Sequence, residues 1–466
     1  MSDGVAVPAW LLVLMAALAV WALYEHVVAP ALRFLVTHPA NQVIDELGER
    51  LRIGIRPFQR TKRQALVHSL LADRRVQAAA EKYARENKIT LPAALRRVER
   101  YAREIVPAFN AYLYFRIGYW IGRWIARSLY RVRIGYLDSE GIAKVGSDAT
   151  VVFVMNHRSN MDYVLTAYLA ADQAALSYAV GEWARLWPLS ALIRAMGAYF
   201  VRRDSKDELY RRVLERYIAM ATEAGVPQAV FPEGGLTRDG LIRAPKLGVI
   251  DYMMRGFRIE GERDLVFVPL GINYDRVLED RSLLLAAGPE ARRAGRVKAL
   301  WNTFAFAARN LRLMLKSEWH RFGYACVNFG SPVSMRAYCR GRGVDFQRLS
   351  GEERRRATAA LGEHLMRSVG QVVPVPLMAT VFVHNPERRL SALELKAEVE
   401  QLIERLDRSA AHVYVPRRDL DYALDVGLRM LLMRHLVEEN EGTYVAREQE
   451  LPLLRYYANS VAHLLD

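Results

Sequence analysis

Short apolar runs alternate with amphipathic stretches from about residue 150 onward, and this alternation limits the possible folds more than any other feature of the sequence. Strands that alternate with helices indicate an α/β layer with a mainly parallel sheet. We therefore predict a mainly parallel sheet flanked by helices over residues 137–370. The apolar runs are 150–155, 198–201, 228–231, 265–272 and 324–329, and helical patterns lie between them, for example 207–224 and 297–317.

Helical patterns dominate on both sides of this α/β region. Residues 37–106 are rich in arginine and predict a helical connecting region. After Gly370, a Pro-Val-Pro segment introduces a second helical domain over 371–466, in which Ser391 is placed to cap a helix. The predicted helices of this domain are 392–406, 422–438 and 451–465.

The amino-terminal segment has no charged residue between Val5 and Tyr24. A helix over this run would measure about 30 Å at about 1.5 Å per residue, the thickness of the hydrocarbon core of a bilayer. A signal peptide would have a basic leader, whereas the leader here carries only Asp3. We predict a single transmembrane anchor over residues 1–36, with a buried core helix as the alternative.

Basic residues exceed acidic ones, 66 against 51, which gives a formal net charge of +15 and indicates an anionic partner. Nucleic acid is not the expected partner, because no zinc-finger spacing, RNA-recognition motif or basic zipper occurs. Arginines that follow the anchor place the rest of the chain on the cytoplasmic side of the inner membrane. We expect an anionic phospholipid membrane as the partner of this charge.

A second basic segment, 107–136, contains no acidic residue and interleaves arginines with aromatic residues. Arg123, Arg127 and Arg131 are four residues apart and would form one stripe on a helix. We predict an amphipathic helix in the plane of the membrane interface. An ordinary domain helix with a solvated face is the alternative.

The candidate catalytic pair is His157 and Asp162, which follow the apolar run that ends at Met155. Open α/β sheets bind ligands at the carboxyl ends of their strands, where His157 would lie. Because five residues turn a continuous helix by about 140°, the two side chains pair only if His157 lies in the turn and Asp162 in the first helical turn. Asp162 would then accept the Nδ1 proton and leave Nε2 as a base. A histidine that is merely hydrogen-bonded at a strand end is the alternative.

Three further polar clusters also follow apolar runs. Residues 197–204 end in the paired arginines Arg202 and Arg203, residues 231–240 carry Glu233, Gly234 and Gly235, and residues 266–270 contain a Val-Pro pair. In a parallel sheet, all of these clusters would gather at one edge.

These four segments, in this order, resemble the motifs of the glycerolipid acyltransferase superfamily, which begin with His-x4-Asp. The resemblance is strongest to the membrane-bound glycerol-3-phosphate acyltransferases and their dihydroxyacetone-phosphate relatives. Similarity continues through Pro245-Lys246, residues 327–332 and residues 454–464, so that it covers most of the chain from about Tyr130 onward.

Two departures from the family pattern stand out. The third motif usually has arginine directly after the two glycines, but Leu236 occupies that position here and Arg238 is the nearest cation. The large amino-terminal region of the bacterial enzymes is replaced by a short anchored segment, so regulation and partner contacts do not carry over.

The resemblance implies that His157 deprotonates the sn-1 hydroxyl of glycerol 3-phosphate, which attacks an acyl thioester of coenzyme A or acyl carrier protein, while Asp162 orients the imidazole. No cofactor and no metal are implied, and the product is lysophosphatidic acid. The two cysteines, Cys326 and Cys339, have no metal-site spacing and are not near the motifs.

The resemblance also implies a substrate-binding set around this pair. Its cations would bind the acceptor's phosphate or the donor's phosphopantetheine, and its glycines would let the backbone approach the acceptor. The set comprises Arg158, Ser159, Arg202, Arg203, Glu233, Gly234, Gly235, Arg238 and Lys246. Two other functions stay open, namely acylation of dihydroxyacetone phosphate or lysophosphatidic acid, and a non-catalytic membrane scaffold with the same fold.

Overall fold

The computed structural model describes residues 55–170, 174–181, 189–202, 205–287, 322–409, 411–413, 415 and 419–465, together with a few residues between 15 and 30. Most of the predicted anchor, the predicted helix over 297–317 and the candidate residue Arg203 lie outside these described residues. No helix in the described part of the chain is long and apolar enough to cross a membrane.

The central sheet has the strand order β1-β7-β6-β2-β5-β3-β4, and β8 pairs with β6 on the same edge as β7. Strands β6, β2, β5, β3 and β4 are parallel to one another. Strand β7 is antiparallel to β6 and parallel to β1, and β8 is antiparallel to β6. The predicted α/β fold with a mainly parallel sheet is confirmed. The strands are β1 Arg131–Leu137, β2 Thr150–Met155, β3 Ser177–Val180, β4 Tyr199–Phe200, β5 Gln228–Val230, β6 Leu265–Tyr274, β7 Tyr324–Phe329 and β8 Val333–Ser334.

Helices cover both faces of this sheet and continue beyond it. A π-helix, Leu113–Gly118, leads directly into one of them. The α-helices are α1 Pro57–Arg60, α2 Arg63–Ala72, α3 Arg74–Glu86, α4 Leu91–Ile105, α5 Tyr119–Leu129, α6 Ser139–Ala143, α7 Met161–Ala170, α8 Leu189–Ala195, α9 Glu208–Glu223, α10 Gly248–Arg255, α11 Asp280–Ala287, α12 Met335–Arg342, α13 Gly351–Gln371, α14 Leu377–His384, α15 Ala392–Arg408, α16 Leu420–Met433 and α17 Leu451–Ala458.

The central strands are apolar along their whole length because both faces of the sheet are covered. All residues of β2 and β6 are buried. Val151, Phe153 and Met155 of β2 pack into the core on one face, and Val152 and Val154 pack into the core on the other. A strand buried on both faces has no reason to alternate polar and apolar residues. The sheet is therefore a rigid base for the turn that follows β2.

The predicted helix over 107–136 is wrong in its last part. Helix α5 ends at Leu129, Tyr130 is extended, and residues 131–137 form the edge strand β1. Arg131 and Arg133 therefore lie on a strand, because pairing with β7 overrides the helical pattern of the segment. The helical part still carries an apolar surface, since Trp120 and Trp124 are each 59% exposed.

The carboxy-terminal region is not purely helical. Ser391 does cap α15, in a capping box with Glu394. However, α16 ends at Met433, and His435 has a φ of 56° that stops the predicted helix. A small antiparallel sheet follows, made of β9 Leu390–Ser391, β10 Val437–Asn440 and β11 Thr443–Ala446.

Candidate active site

The turn between β2 and α7 brings His157 and Asp162 together. The His157 Nδ1 lies 2.9 Å from Asp162 Oδ2, and the side chains are only 2% and 0% exposed. His157 lies in the turn and Asp162 is the second residue of α7, the placement that pairing required. Because Asp162 accepts a hydrogen bond from the Nδ1–H group of His157, the neutral imidazole is assigned as the tautomer with a lone pair on Nε2.

Asp162 is held by donors on both of its oxygens. Oδ2 accepts hydrogen bonds from the backbone N–H groups of Arg158 at 2.7 Å and Ser159 at 3.0 Å. Oδ1 accepts one from the Tyr274 hydroxyl at 2.6 Å. A buried carboxylate requires such partners, and four donors fix its plane. The carboxylate can therefore orient His157 without moving.

Two aromatic rings fix the imidazole from its sides. Phe231 stacks on His157 with the ring centroids 4.1 Å apart and the planes at 26°. Tyr163 meets the same ring edge-on at 5.4 Å. Packing of this kind restricts rotation of the imidazole, so the hydrogen bond to Asp162 is kept at one geometry.

Glu279 clamps the rest of the turn. Its carboxylate accepts hydrogen bonds from the Ser159 hydroxyl at 2.7 Å, the Asn160 backbone at 3.2 Å and the Asn160 side-chain amide at 3.0 Å. Burial raises the pKa of Glu279, and the bonds from Ser159 and Asn160 oppose that shift. The hydroxyl of Ser159, a predicted substrate ligand, is thus engaged within the turn.

Arg158 points away from the cavity. Its guanidinium is 1% exposed, donates to the Gly240 carbonyl at 2.9 Å, and lies 4.5 Å from the ring centroid of Tyr456. A side chain on Gly240 could not fit, because its Cβ would come 1.9 Å from the Tyr456 carbonyl oxygen. Arg158 therefore joins the turn to the carboxy-terminal region, and the structure gives it no contact with the cavity.

A cavity of about 360 Å³ opens beside His157. One part of its wall is apolar and another carries cations, so it suits a ligand with an acyl chain and an anionic group. Residues of its wall include His157, Tyr163, Val180, Val201, Arg202, Arg211, Val230, Phe231, Gly234, Lys246, Val249 and Ile250.

The cationic side chains of this wall differ in the contacts that they make. Arg202 forms a two-pronged ion pair with Glu104 at 2.8 and 2.6 Å, and that contact raises the pKa of Arg202. Lys246 lies over Gly234, which has a φ of 71° and where a Cβ would come 2.6 Å from Lys246 Cδ. Arg211 projects from α9. The cavity therefore has a second arginine that the sequence motifs did not indicate.

Glu233 binds the backbone of the turn between β2 and α7. Its Oε1 accepts a hydrogen bond from the His157 backbone N–H at 3.1 Å. Burial raises the pKa of Glu233 to about 7, and the bond from His157 and the charge of Arg158 oppose the shift. Glu233 is thus a support for His157 rather than part of the cavity wall.

The other candidates from the third motif are more distant from the cavity. Arg238 is exposed and, like Gly235, is not part of the cavity wall. The structure therefore brings His157, Arg202, Gly234 and Lys246 together around one cavity, and Asp162 binds His157 next to it. Arg158, Ser159 and Glu233 instead hold the turn between β2 and α7 through contacts outside the cavity wall.

Sequence reasoning missed Tyr274 and Glu279. Both follow the Val-Pro motif on the same strand or just beyond it, because β6 runs on to Tyr274 instead of ending at Ile272. The sequence nevertheless contained an indication of both residues, because polar residues that follow the apolar run 265–272 should reach the same sheet edge as His157.

The α/β sheet with the buried His157–Asp162 pair at the carboxyl end of β2 agrees with the resemblance of the sequence to acyltransferases. Residues 137–273 match the family model described as Acyltransferase, and residues 310–465 match the glycerol-3-phosphate acyltransferase C-terminal region. Through these two regions the chain is similar to the glycerol-3-phosphate acyltransferases.

Curated relatives match nearly the whole chain. Glycerol-3-phosphate acyltransferases of Actinobacillus succinogenes and Aeromonas hydrophila are 26% and 27% identical and match 93% and 92% of this chain. The match covers 52% of each relative, so the chain spans about half the length of the curated relatives. A solved 1-acyl-sn-glycerophosphate acyltransferase from Thermotoga maritima is 17% identical, with a TM-score of 0.30, over 55% of this chain and 76% of that chain.

Proposed function

We propose that this chain transfers an acyl group from an acyl thioester to the sn-1 hydroxyl of glycerol 3-phosphate and so forms lysophosphatidic acid. The observation that carries the proposal is the buried His157–Asp162 pair at the edge of a cavity with both apolar and cationic walls. Similarity to the glycerol-3-phosphate acyltransferases supports the choice of acceptor.

In the proposed reaction, Nε2 of His157 takes the proton of the acceptor hydroxyl as its oxygen attacks the thioester carbonyl. The tetrahedral intermediate then breaks its C–S bond, and the imidazolium returns the proton to the leaving thiolate. Asp162 stabilises the positive charge that His157 carries between these two steps. The chain needs no nucleophile of its own, because the acceptor hydroxyl attacks the acyl carbon directly.

The cavity also supplies cations for the phosphate of the acceptor. We propose Arg211 and Lys246 for this role, because both line the wall of the cavity that His157 also lines. Guanidinium and ammonium groups are the usual ligands of phosphate oxygens. Arg211 would then replace the arginine that Leu236 displaces from the third motif.

The test uses the full chain in mixed detergent and phospholipid micelles. Glycerol 3-phosphate, dihydroxyacetone phosphate and lysophosphatidic acid are each offered with acyl-coenzyme A and with acyl carrier protein loaded with the same chain. We expect glycerol 3-phosphate to be acylated at the highest kcat/KM. Preference for either other acceptor would change the assigned reaction, and no turnover with any pair would favour a non-catalytic scaffold.

We also propose that the chain is held at the inner membrane by residues 1–36, with its catalytic domain facing the cytosol and α5 on anionic phospholipid. Trp120, Ile121 and Trp124 of α5 are 59%, 49% and 59% exposed, an apolar cluster of the kind that marks an interaction surface. Gly122 of the same helix packs on α7, which carries Asp162. Membrane contact at α5 would therefore place the catalytic turn near its lipid product.

A site-specific fluorescent label tests this orientation in the full chain. Trp124→Cys and Leu393→Cys each provide one exposed thiol, since Cys326 and Cys339 are buried and Leu393 is 78% exposed on α15. With vesicles that contain phosphatidylglycerol, a polarity-sensitive label at position 124 should shift to the blue, and the label at position 393 should not. Equal spectra at the two positions would contradict the orientation.

A further inference from the structure

Tyr274 approaches the catalytic pair from the side opposite to His157. It is the last residue of β6, its side chain is buried, and its hydroxyl lies 2.6 Å from Asp162 Oδ1. His157 and the backbone N–H groups of Arg158 and Ser159 all bind the other oxygen, Oδ2. Tyr274 thus binds Oδ1, whereas the residues of the turn between β2 and α7 bind Oδ2.

The Tyr274 hydroxyl can only donate in this position. Burial raises its pKa well above the ordinary value, and the neighbouring charge of Asp162 raises it further. A neutral phenol beside a buried carboxylate donates its proton in a charge-assisted hydrogen bond, the stronger class of hydrogen bond in proteins. Tyr274 is not part of the cavity wall beside His157, so it acts on the reaction only through Asp162.

The strand end that carries Tyr274 is itself fixed. Tyr274 pairs with Ala325 of β7, and its ring contacts that of Tyr130 at a centroid distance of 5.1 Å. The preceding residue, Asn273, donates to the Ser460 hydroxyl at 2.9 Å and to the Pro374 carbonyl at 2.8 Å. The hydroxyl of Tyr274 is therefore presented to Asp162 by a rigid element rather than by a loop.

We propose that Tyr274 is a positioning residue of the catalytic pair: its hydroxyl holds the Asp162 carboxylate in the one orientation that leaves Oδ2 on His157 Nδ1. Without that bond, donors hold only Oδ2, so the carboxylate can tilt about that oxygen, and its alignment with the imidazole is lost for part of the time. The assignment rests on the proposed acyl transfer, and it concerns kcat rather than substrate binding.

The experiment compares Tyr274→Phe with Tyr130→Phe in the full chain. Tyr130 is an equally buried neighbour, but its hydroxyl donates to the Arg276 backbone carbonyl at 2.8 Å instead of a catalytic group. We expect Tyr274→Phe to lower kcat by about 10- to 100-fold, the range for loss of a hydrogen bond to a charged group, with KM for both substrates within about twofold. Tyr130→Phe should keep kcat within about threefold while showing a similar change in Tm.

A double-mutant cycle separates positioning from general damage. If Tyr274 acts through Asp162, then Tyr274→Phe should cost less than about threefold in a chain that already carries Asp162→Ala, which has no carboxylate or amide for Tyr274 to hold, since coupled residues are not additive. The same loss in both backgrounds, an unchanged kcat in Tyr274→Phe, or an equal loss in Tyr130→Phe would each overturn the proposal. Absence of turnover in the unsubstituted chain would instead overturn the proposed function, so the two failures are distinct.

Discussion

Replacement of Asp162 by asparagine removes the charge of the catalytic pair while leaving its shape. The backbone N–H groups of Arg158 and Ser159 both point at the position of Oδ2, and only an oxygen can accept them there. The amide oxygen of the asparagine should therefore take that position and still accept the Nδ1 proton of His157. Its NH2 group would face Tyr274, whose hydroxyl can accept as well as donate. The tautomer of His157 should thus survive the change.

The expected loss is then the lost attraction between the carboxylate and the imidazolium. Two unit charges about 4 Å apart at an effective dielectric of about 20 attract by about 4 kcal/mol. If roughly half of that charge has developed in the transition state, the barrier rises by about 2 kcal/mol, which lowers kcat by about 30-fold.

Transfer of radiolabelled glycerol 3-phosphate into a butanol-extractable product measures this change, with Tm as the control for folding. A kcat within about threefold of that of the unsubstituted chain would mean that Asp162 has only a structural role. A loss of about 10⁴-fold, the size found where such a change imposes the wrong tautomer, would refute the argument that the backbone of Arg158 and Ser159 fixes the amide oxygen.

Three further substitutions give separate outcomes. His157→Ala should abolish acyl transfer but leave binding to phospholipid vesicles intact, and near-normal turnover would refute the mechanism. Glu279→Ala leaves the buried Ser159 hydroxyl and the half-buried donors of Asn160 without their acceptor, so the free energy of unfolding should fall by about 2 kcal/mol; an unchanged Tm would contradict this role of Glu279. Glu233 has its pKa raised from 4.5 to about 7, so the folded state binds the proton more tightly and loses up to about 3 kcal/mol of stability as the pH rises from about 4.5 to about 7. Glu233→Gln should remove that loss, and parallel curves of Tm against pH for the two proteins would show that Glu233 is not the group responsible.

The sequence predicts the sheet well because its central strands are apolar throughout. Each apolar run that was predicted as a strand contains a strand in the structure. The predicted and observed ends differ most for β6, which extends to Tyr274, and for β4, which is only Tyr199–Phe200. Residues 131–136 were predicted as helix, because their basic and aromatic pattern continues that of α5. Their pairing with β7, almost 200 residues further along the chain, is a tertiary effect that local periodicity does not report.

The candidate site was predictable where one chain segment supplies the geometry. His157 and Asp162 meet across a single turn, so spacing and helix geometry were sufficient. The roles of the neighbouring residues depend on segments that are distant in sequence and could not be inferred in the same way. Arg158 lies inside the first motif, yet its side chain binds Gly240 and Tyr456, whereas Arg211, which lies in none of the motifs, reaches the cavity.

The contact of Arg158 with Tyr456 makes the carboxy-terminal region part of the support of the catalytic turn. Arg158 is buried at the point where its backbone N–H binds Asp162, so its guanidinium must find partners away from water. Those partners are the Gly240 carbonyl and the ring of Tyr456. Without helix α17, a buried cation next to the catalytic pair would lose the aromatic face that covers it. The α/β region and the carboxy-terminal region are therefore joined next to the candidate pair by Arg158, a residue of the first motif.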